Sequence, residues 1–506
     1  LSKRYLLGID NGGTVAKAAV FALDGAEVAV AGAKTAVLAP QAGWAERDMD
    51  RLWQATAGAI REALASARID SRQVAAVACT GHGNGLYLVD AEGKPVRPAI
   101  FSSDVRARSY VERWMAEGVG RQVGPKTLQS LWPGQPHALL AWLRDHEPDS
   151  LARARWALMC KDFIRLRLTG EVHGELTDMS GTGLLDVLTG QYDAGILEAF
   201  GIAELADKLP PLCLSADVCG RVTRTAAAQT GLAEGTPVAA GMFDIDACAL
   251  ASALLDEQAL GMTLGTWGIN QYVAPRPVPA GAVFMTSRYC VPGYFLILEA
   301  SATSASNLEW FIAQLLPGES RPSPPQGATI YDRVNAWVAE VPADDAGLLF
   351  LPFLYGSNAG ADASACLVGL SQRHHRGHVL RAVYEGVVFS HMTHFERLMK
   401  LRGRPAAIRA TGGAARSAVW LQILADAFQL PVEVPAGSEL GAQGAALSAG
   451  VAIGCYRDYA DACRTAVRWG RRFEPDARQA AVYQAKYARY RRLLEALQGA
   501  WGDLAW

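Results

Sequence analysis

The chain has 506 residues, length enough for roughly two to four ordinary domains, and half of those residues are hydrophobic while 19% are charged, which excludes a disordered chain. Lys and Arg total 48 against 50 Asp and Glu, a formal net charge of −2, so composition gives no electrostatic footprint for nucleic acid. Nine cysteines scattered from Cys79 to Cys463 without a CxxC pair read as reduced cytosolic thiols, not as a disulfide framework or a zinc site. Ser2, Lys3 and Arg4 lead into a strand-like run with no signal-segment pattern. The longest apolar stretch, Pro237 to Leu255, is interrupted by Asp244 and Asp246 and so is a poor membrane span. The expectation is a soluble, cytoplasmic protein with neither membrane nor nucleic acid as partner.

In chain order, Tyr5 to Ile9 read as a strand and Asp10-Asn11-Gly12-Gly13-Thr14 as a tight turn, after which Lys17 to Leu23 return as the second strand of a hairpin. Asp24-Gly25, flanked by alternating apolar residues, makes another hairpin turn. Leu52, Trp53, Ala57, Ile60 and Leu64 fall on one helical face behind the acidic start at Asp48 and Asp50. Val74 to Cys79 form a strand that ends in the loop Gly81-His82-Gly83-Asn84-Gly85. The second half repeats this grammar. Ala259 to Leu264 lead into Gly265-Thr266-Trp267-Gly268 and another extended run, and Ile408 to Thr411 lead into Gly412-Gly413 and a helix with Ser417 as N-cap. The echo predicts two related α/β lobes, residues 1–250 and 251–506, with the boundary near 248–256 and no long linker. Near the C-terminus a basic patch that includes Arg468, Arg471, Arg472 and Lys486 reads as a solvated face.

Glycine-rich turns at strand ends expose consecutive backbone N–H groups and let a phosphate approach the backbone. Three occur here, at residues 10–14, 265–268 and 412–414, and none has the spacing of a P-loop or of a dinucleotide fold. Each alone is compatible with a plain turn; together they favour a nucleotide held between two lobes. A carboxylate beside a phosphate turn is repulsive without a cation, so Asp10 points to Mg²⁺, with an Asx-turn as the alternative. Asp244 lies within an apolar, small-residue stretch where a charge needs a purpose. It suits the base that takes a proton from an acceptor hydroxyl, with an N-cap as the alternative.

At these residues the chain resembles the FGGY family of carbohydrate kinases over nearly its whole length. LLGIDNGGTVAK is similar to the family's first phosphate loop, GWAERD with Trp53 to the segment after it, and PVAAGMFD to the motif of the base. LGTWG is similar to the second phosphate loop, ATGGAARSAVWLQILADAF to the adenosine-binding strand–turn–helix, and ACLVGLSQRHHRGHVLRAVYEG to the C-terminal signature. The resemblance implies two actin-like, ribonuclease H-like lobes with ATP and sugar meeting in the cleft between them. AIFSSDVRA, LPFLYGSNAG and YEGVVFSHMTHFERL resemble the L-xylulose kinase branch of the family.

Carried over by position, the resemblance implies Asp244 as base and Asp10 with Asp244 at Mg²⁺. Gly12, Gly13, Thr14, Lys17, Gly265 and Thr266 would line the phosphates of ATP, and Gly412, Gly413, Ala414 and Ser417 the adenosine. His82, Gly83, Asn84, Ser103, Asp104, Trp132, Gln135 and Asp244 would face the sugar. Gly13 stands where many members have Thr, Ser102 where glycerol and D-xylulose kinases have Trp, and Asn84 where D-xylulose kinases have His. Ile245 replaces an amide, and Leu139 a Lys of the N-terminal signature. These departures touch specificity more than chemistry. The implied activity is ATP-dependent phosphorylation of a terminal hydroxyl of a free ketopentose such as L-xylulose. The alternatives are a kinase for D-xylulose, ribulose, glycerol or erythritol, or a non-enzymatic actin- or Hsp70-like ATP switch. Family members are commonly dimers, so a homodimer is expected by analogy. His374, His375, His378, His391 and His394 lack the accompanying ligands of a metal site, and none is expected there.

Overall fold

The structure is a computed structural model that describes residues 4–316, 329–345, 347–357, 359–360 and 362–504. Residues 1–3, read above for signal character, lie outside the described residues, as does Asn358 of the LPFLYGSNAG stretch. The chain divides into two compact units. The first comprises Leu1–Leu255, Val273–Ile297 and Gly437–Arg468; the second comprises Asp256–Tyr272, Leu298–Ala436 and Trp469–Trp506.

In the first unit the strands are β1 (Tyr5–Asn11), β2 (Val15–Ala22), β3 (Glu27–Lys34), β4 (Val74–Gly81), β5 (Val218–Arg221) and β6 (Pro237–Phe243), in the sheet order β5-β6-β4-β1-β2-β3. β1 and β2 form the antiparallel hairpin, with Asp10 opposite Lys17, and β4 runs parallel to β1, with Asp10 beside Thr80. Every residue of β4 is buried, which its run of Val, Ala and Cys permits on both faces. Helix α1 (Met49–Ala67) opens on Asp48, whose side chain accepts from the Arg51 N–H, and buries Leu52, Trp53, Ala57, Ile60 and Leu64.

The second unit repeats the arrangement with β7 (Ala259–Leu264), β8 (Gly268–Ala274), β9 (Phe295–Ser301), β10 (Ala407–Thr411), β11 (Val432–Pro435) and β12 (Trp469–Phe473), whose sheet contains the order β9-β8-β7-β10-β11-β12. β7 and β8 are antiparallel, β10 runs parallel to β7, and β11 parallel to β10. The hairpin followed by parallel strands is thus common to both sheets.

Three further helices carry the turns: α2 (Asp244–Ala251), α3 (Ala418–Phe428) and α4 (Leu440–Ala452). α4 belongs to the first unit, and its composition explains its seat. Residues 441 to 450 are all buried, because its backbone lies directly on β1 and on α2. A Cβ at Gly8 would overlap the carbonyl oxygen of Ala442, and one at Gly444 would overlap that of Ala247. Lys486, read as part of a solvated face, is 2% exposed and bonds both oxygens of Glu385 at 2.7 Å. The helical face there turns inward because a buried Glu385, shared with Arg381, requires cationic partners.

Candidate active site

In the first unit three loops converge beside the first glycine turn. The Gly85 N–H donates to the Gly134 carbonyl at 2.9 Å, and a Cβ at Gly134 would overlap the Ser102 carbonyl. The loops at residues 82–85, 101–104 and 132–135 therefore touch through their backbones. The Asn11 carbonyl accepts from the His82 N–H at 3.0 Å, which joins the glycine turn to the same cluster.

His82 is 6% exposed, with Nε2 2.9 Å from the Tyr87 hydroxyl, Nδ1 3.4 Å from the Gly83 carbonyl, and its ring 4.2 Å from that of Phe101. Burial, reinforced by the nearby Arg47 charge, pulls its pKa down to about 3, so the imidazole is neutral. Asn84 is buried at a left-handed φ of 59°, and its Oδ1 finds no hydrogen-bond partner among the described residues. Ser103 is exposed and Trp132 half-buried. Gln135 is buried, accepts from the Trp132 N–H at 2.9 Å and donates to the Gly181 carbonyl at 3.4 Å. Asp104, which the resemblance implies at the sugar, is buried. Its Oδ1 accepts from the Arg106 N–H and Nε, and its Oδ2 from the Ala45 N–H and Arg106 Nη2, at 2.6 to 3.0 Å. Four donors fill the acceptor sites of a carboxylate, so Asp104 ties the 101–104 loop to Ala45.

Asp244 is partly buried at the first position of α2, and Phe243, not Asp244, occupies the N-cap. The approach to it is pinned twice. The Phe243 N–H donates to Thr177 Oγ1 at 2.9 Å, and the Phe243 ring lies where a Cβ of Gly83 would be. Thr177 in turn donates to Glu175 at 2.8 Å, whose carboxylate also receives Ser215 Oγ at 2.7 Å. Behind it, fully buried Lys161 lies 3.0 Å from Asp162, 3.2 Å from Asp178 and 3.4 Å from Glu175. Burial first, and then the charges of Asp10 and Asp178, raise the pKa of Asp244 well above the usual carboxylate range. Burial raises that of Asp10 to about 6, against the lowering effect of Lys17 and with Glu439 adding to the rise. Lys17 Nζ is 2.7 Å from Glu439 Oε2, at the start of α4.

The turn itself is permissive. Gly12 and Gly13 have no left-handed φ; a Cβ at Gly12 would meet only the Val15 carbonyl, at 3.8 Å, and one at Gly13 only Phe101, at 3.5 Å. Thr14 beside them is exposed. Arg47, which the sequence analysis passed over inside GWAERD, donates from Nη1 to the Gly12 carbonyl at 3.2 Å and from Nη2 to the Gly13 carbonyl.

In the second unit the other two turns lie together. Thr263 and Thr411, the register partners at the ends of β7 and β10, have hydroxyls 3.0 Å apart. Gly412 has a φ of 92°, and a Cβ there would sit 2.6 Å from the Leu264 carbonyl. Gly413 has open space around it, and Gly265 meets nothing closer than 3.8 Å. Thr266 and Trp267 are exposed, while Ala414 is buried. Ser417 caps α3 by accepting from the Trp420 N–H at 3.1 Å, and its hydroxyl donates to Asn335 at 2.5 Å. Arg471 donates to the carbonyls of Ala415 and Arg416, a second arginine that holds a turn. His391 bridges Ser304 and Asn270, each at 3.1 Å, and His394 bridges Glu299 and Ser301, each at 3.1 Å.

Among the described residues, no helix is long and apolar enough to cross a membrane, and no group of three or more His, Cys, Asp or Glu could hold a metal ion.

Comparison with known proteins matches this architecture throughout. The model for the N-terminal domain of the FGGY family of carbohydrate kinases matches residues 5–251, and that for its C-terminal domain residues 260–453. The L-xylulose/3-keto-L-gulonate kinase of Escherichia coli is 40% identical over 98% of each chain. The probable L-xylulose kinase of Pasteurella multocida is 39% identical over 98% of this chain and 99% of its own. The crystal structure of xylulose kinase from Rhodospirillum rubrum superposes with a TM-score of 0.87 at 29% identity, covering 99% of this chain and all of the other. The chain therefore belongs to the FGGY family of carbohydrate kinases and is an ATP-dependent sugar kinase.

Proposed function

We propose that the enzyme transfers the terminal phosphoryl group of ATP to a terminal hydroxyl of a free ketopentose, L-xylulose first, with Asp244 as the general base. One observation carries the reading. Asp244 opens a helix beside the converged loops, has no ion pair among the described residues, and has a raised pKa that makes it a better proton acceptor. The residue before it, Phe243, is fixed through its N–H on Thr177 and its ring on Gly83, which supports a base whose backbone needs little reorganisation.

Gly12, Gly13, Gly265 and Gly413 support the phosphate and adenosine assignments. The fold demands glycine at none of these four, since each has ordinary φ and room for a Cβ, so the close approach of a ligand is the remaining reason for them. Thr14, Lys17 and Thr266 lie beside those turns, Gly412 shapes the adenosine turn, and Ala414 and Ser417 support its floor. Asn84, with its unpaired Oδ1, Ser103 and Trp132 would contact the sugar, while Gly83, His82, Gln135 and Asp104 shape its wall. The buried Asn84 acceptor is satisfied if a sugar hydroxyl donates to it.

Asp10 and Asp244 are hard oxygen donors, the charge of Asp10 adds to the raised pKa of Asp244, and two carboxylates suit a Mg²⁺ ion that takes its other ligands from water and phosphate. When bound there, Mg²⁺ would neutralise charge on the transferring phosphoryl group. By analogy with the family we extend the reading to a cytoplasmic homodimer.

The test measures ATP-dependent ADP release with L-xylulose, D-xylulose, L-ribulose, glycerol, erythritol and ribitol, for wild type and Asp244→Asn side by side. L-xylulose should give the highest kcat/KM, and the Asn variant should lose about 10²- to 10⁴-fold of that rate while binding ATP normally. A different preferred sugar overturns the substrate assignment, and a fully active Asn variant overturns the base.

A further inference from the structure

Arg47 is 1% exposed, yet among the described residues no carboxylate pairs with its guanidinium, although neighbouring Glu46 is shared by Arg97 and Arg106. Its Nε is buried with no partner among the described residues, its two terminal nitrogens go to the carbonyls of Gly12 and Gly13, and its head lies 4.8 Å from the centre of the Phe101 ring. A buried cation without an anion is costly, and a chain keeps one where a negative group arrives.

The geometry points to Arg47 as the positioning residue of the first phosphate turn, holding two carbonyls back so that the adjoining N–H groups face the terminal phosphates of ATP. In a trans peptide the C=O and N–H point in opposite directions. A fork that draws the Gly12 and Gly13 carbonyls to one side therefore turns the N–H groups of Gly13 and Thr14 to the other. The planar guanidinium spans both carbonyls at once, whereas the ammonium of a lysine is a single point charge. The unneutralised charge behind the turn adds long-range attraction for phosphate in a site of low dielectric. The inference rests on the reading that residues 12–14 take phosphate, and the experiment separates the two.

Binding of ATP and AMP by the full chain is measured calorimetrically for wild type, Arg47→Lys, Arg47→Gln and Gly12→Ala, with steady-state kinetics alongside. AMP lacks the terminal phosphates and reports whether the rest of the nucleotide site is intact. Both Arg47 variants should weaken ATP by about tenfold or more and AMP by less than about twofold. KM for ATP should rise and kcat fall while KM for the sugar stays unchanged. If ATP and AMP weaken in parallel in Arg47→Lys, Arg47 is merely structural and the proposal is overturned. An unchanged ATP-to-AMP ratio in the Arg47 variants beside a compressed ratio in Gly12→Ala also overturns it, and leaves the phosphate turn standing. An unchanged ratio in all three variants removes the phosphate reading, and the proposal with it.

Discussion

At the residue scale, the carboxylate of Asp10 works against its own fold. Its pKa rises from 3.8 to about 6 on folding, chiefly through burial. Below the lower value it is neutral in both states and costs nothing; between the two the unfolded chain ionises first, and above about 6 the folded state bears the full penalty. Asp10→Asn should therefore stabilise the ligand-free protein by about 3 kcal/mol at pH 8 and leave it unchanged near pH 3, as read from urea unfolding. The same variant should lose kinase activity. A loss of stability at pH 8 would show that the carboxylate is a structural asset. Asp10 and Asp244 were legible in the sequence because a carboxylate in an apolar or glycine-rich setting is conspicuous. Arg47 was not, because an arginine between Glu46 and Asp48 reads as a surface charge until the tertiary structure shows that neither neighbour pairs with it. The partners of Asp104 were not legible for the converse reason: its four donors come from Ala45 and Arg106, and only folding delivers Ala45.

At the element scale, the two adjacent glycines of the turn proposed to take the adenosine separate the needs of the fold from those proposed for the ligand. Gly412 has a left-handed φ and would press a Cβ against the Leu264 carbonyl, whereas Gly413 has open space and ordinary φ. Gly412→Ala should cost about 1–3 kcal/mol of stability, from backbone strain and the close contact. Gly413→Ala should leave the ligand-free melting temperature within a degree or so of wild type and weaken ATP binding. Thermal melts and ATP titrations of both variants check this, and equal destabilisation would refute the distinction. Helix α4 makes a related point. Its sequence, LGAQGAALSAGVA, reads as a small-residue helix without a clear face, and its partners could not be read from it. β1 and α2 take opposite sides of it, so no solvent-facing stripe is needed, and periodicity had nothing to register.

At the scale of the whole molecule, the chain repeats a hairpin-plus-parallel-strand sheet and attaches a glycine turn to each copy. The second half returns to the first unit through Val273–Ile297 and Gly437–Arg468. Ligands that bind only the folded state should stabilise it by mass action: L-xylulose at a hundred times its Kd should add about 2.7 kcal/mol. Asp244→Asn should show the same gain with ATP as wild type, because Asp244 lies outside the glycine turns proposed to take the nucleotide. A thermal-shift series in both ligands measures this, and an L-xylulose response no larger than that of glycerol would argue against the ketopentose assignment.

By itself the sequence determined the strands, the glycine turns, the strand–turn–helix units and the positions of the odd carboxylates, all set within a few residues by turn chemistry, alternation and local charge. Only the tertiary structure decided which polar groups remain free for a substrate. Whether His82, Asp104 or Gln135 has an atom to spare, and whether Arg47 has a counter-ion, depends on donors and acceptors far away in the chain. A side chain's hydrogen-bonding capacity is a property of its type, but how much of it the fold consumes is known only once every partner is in place.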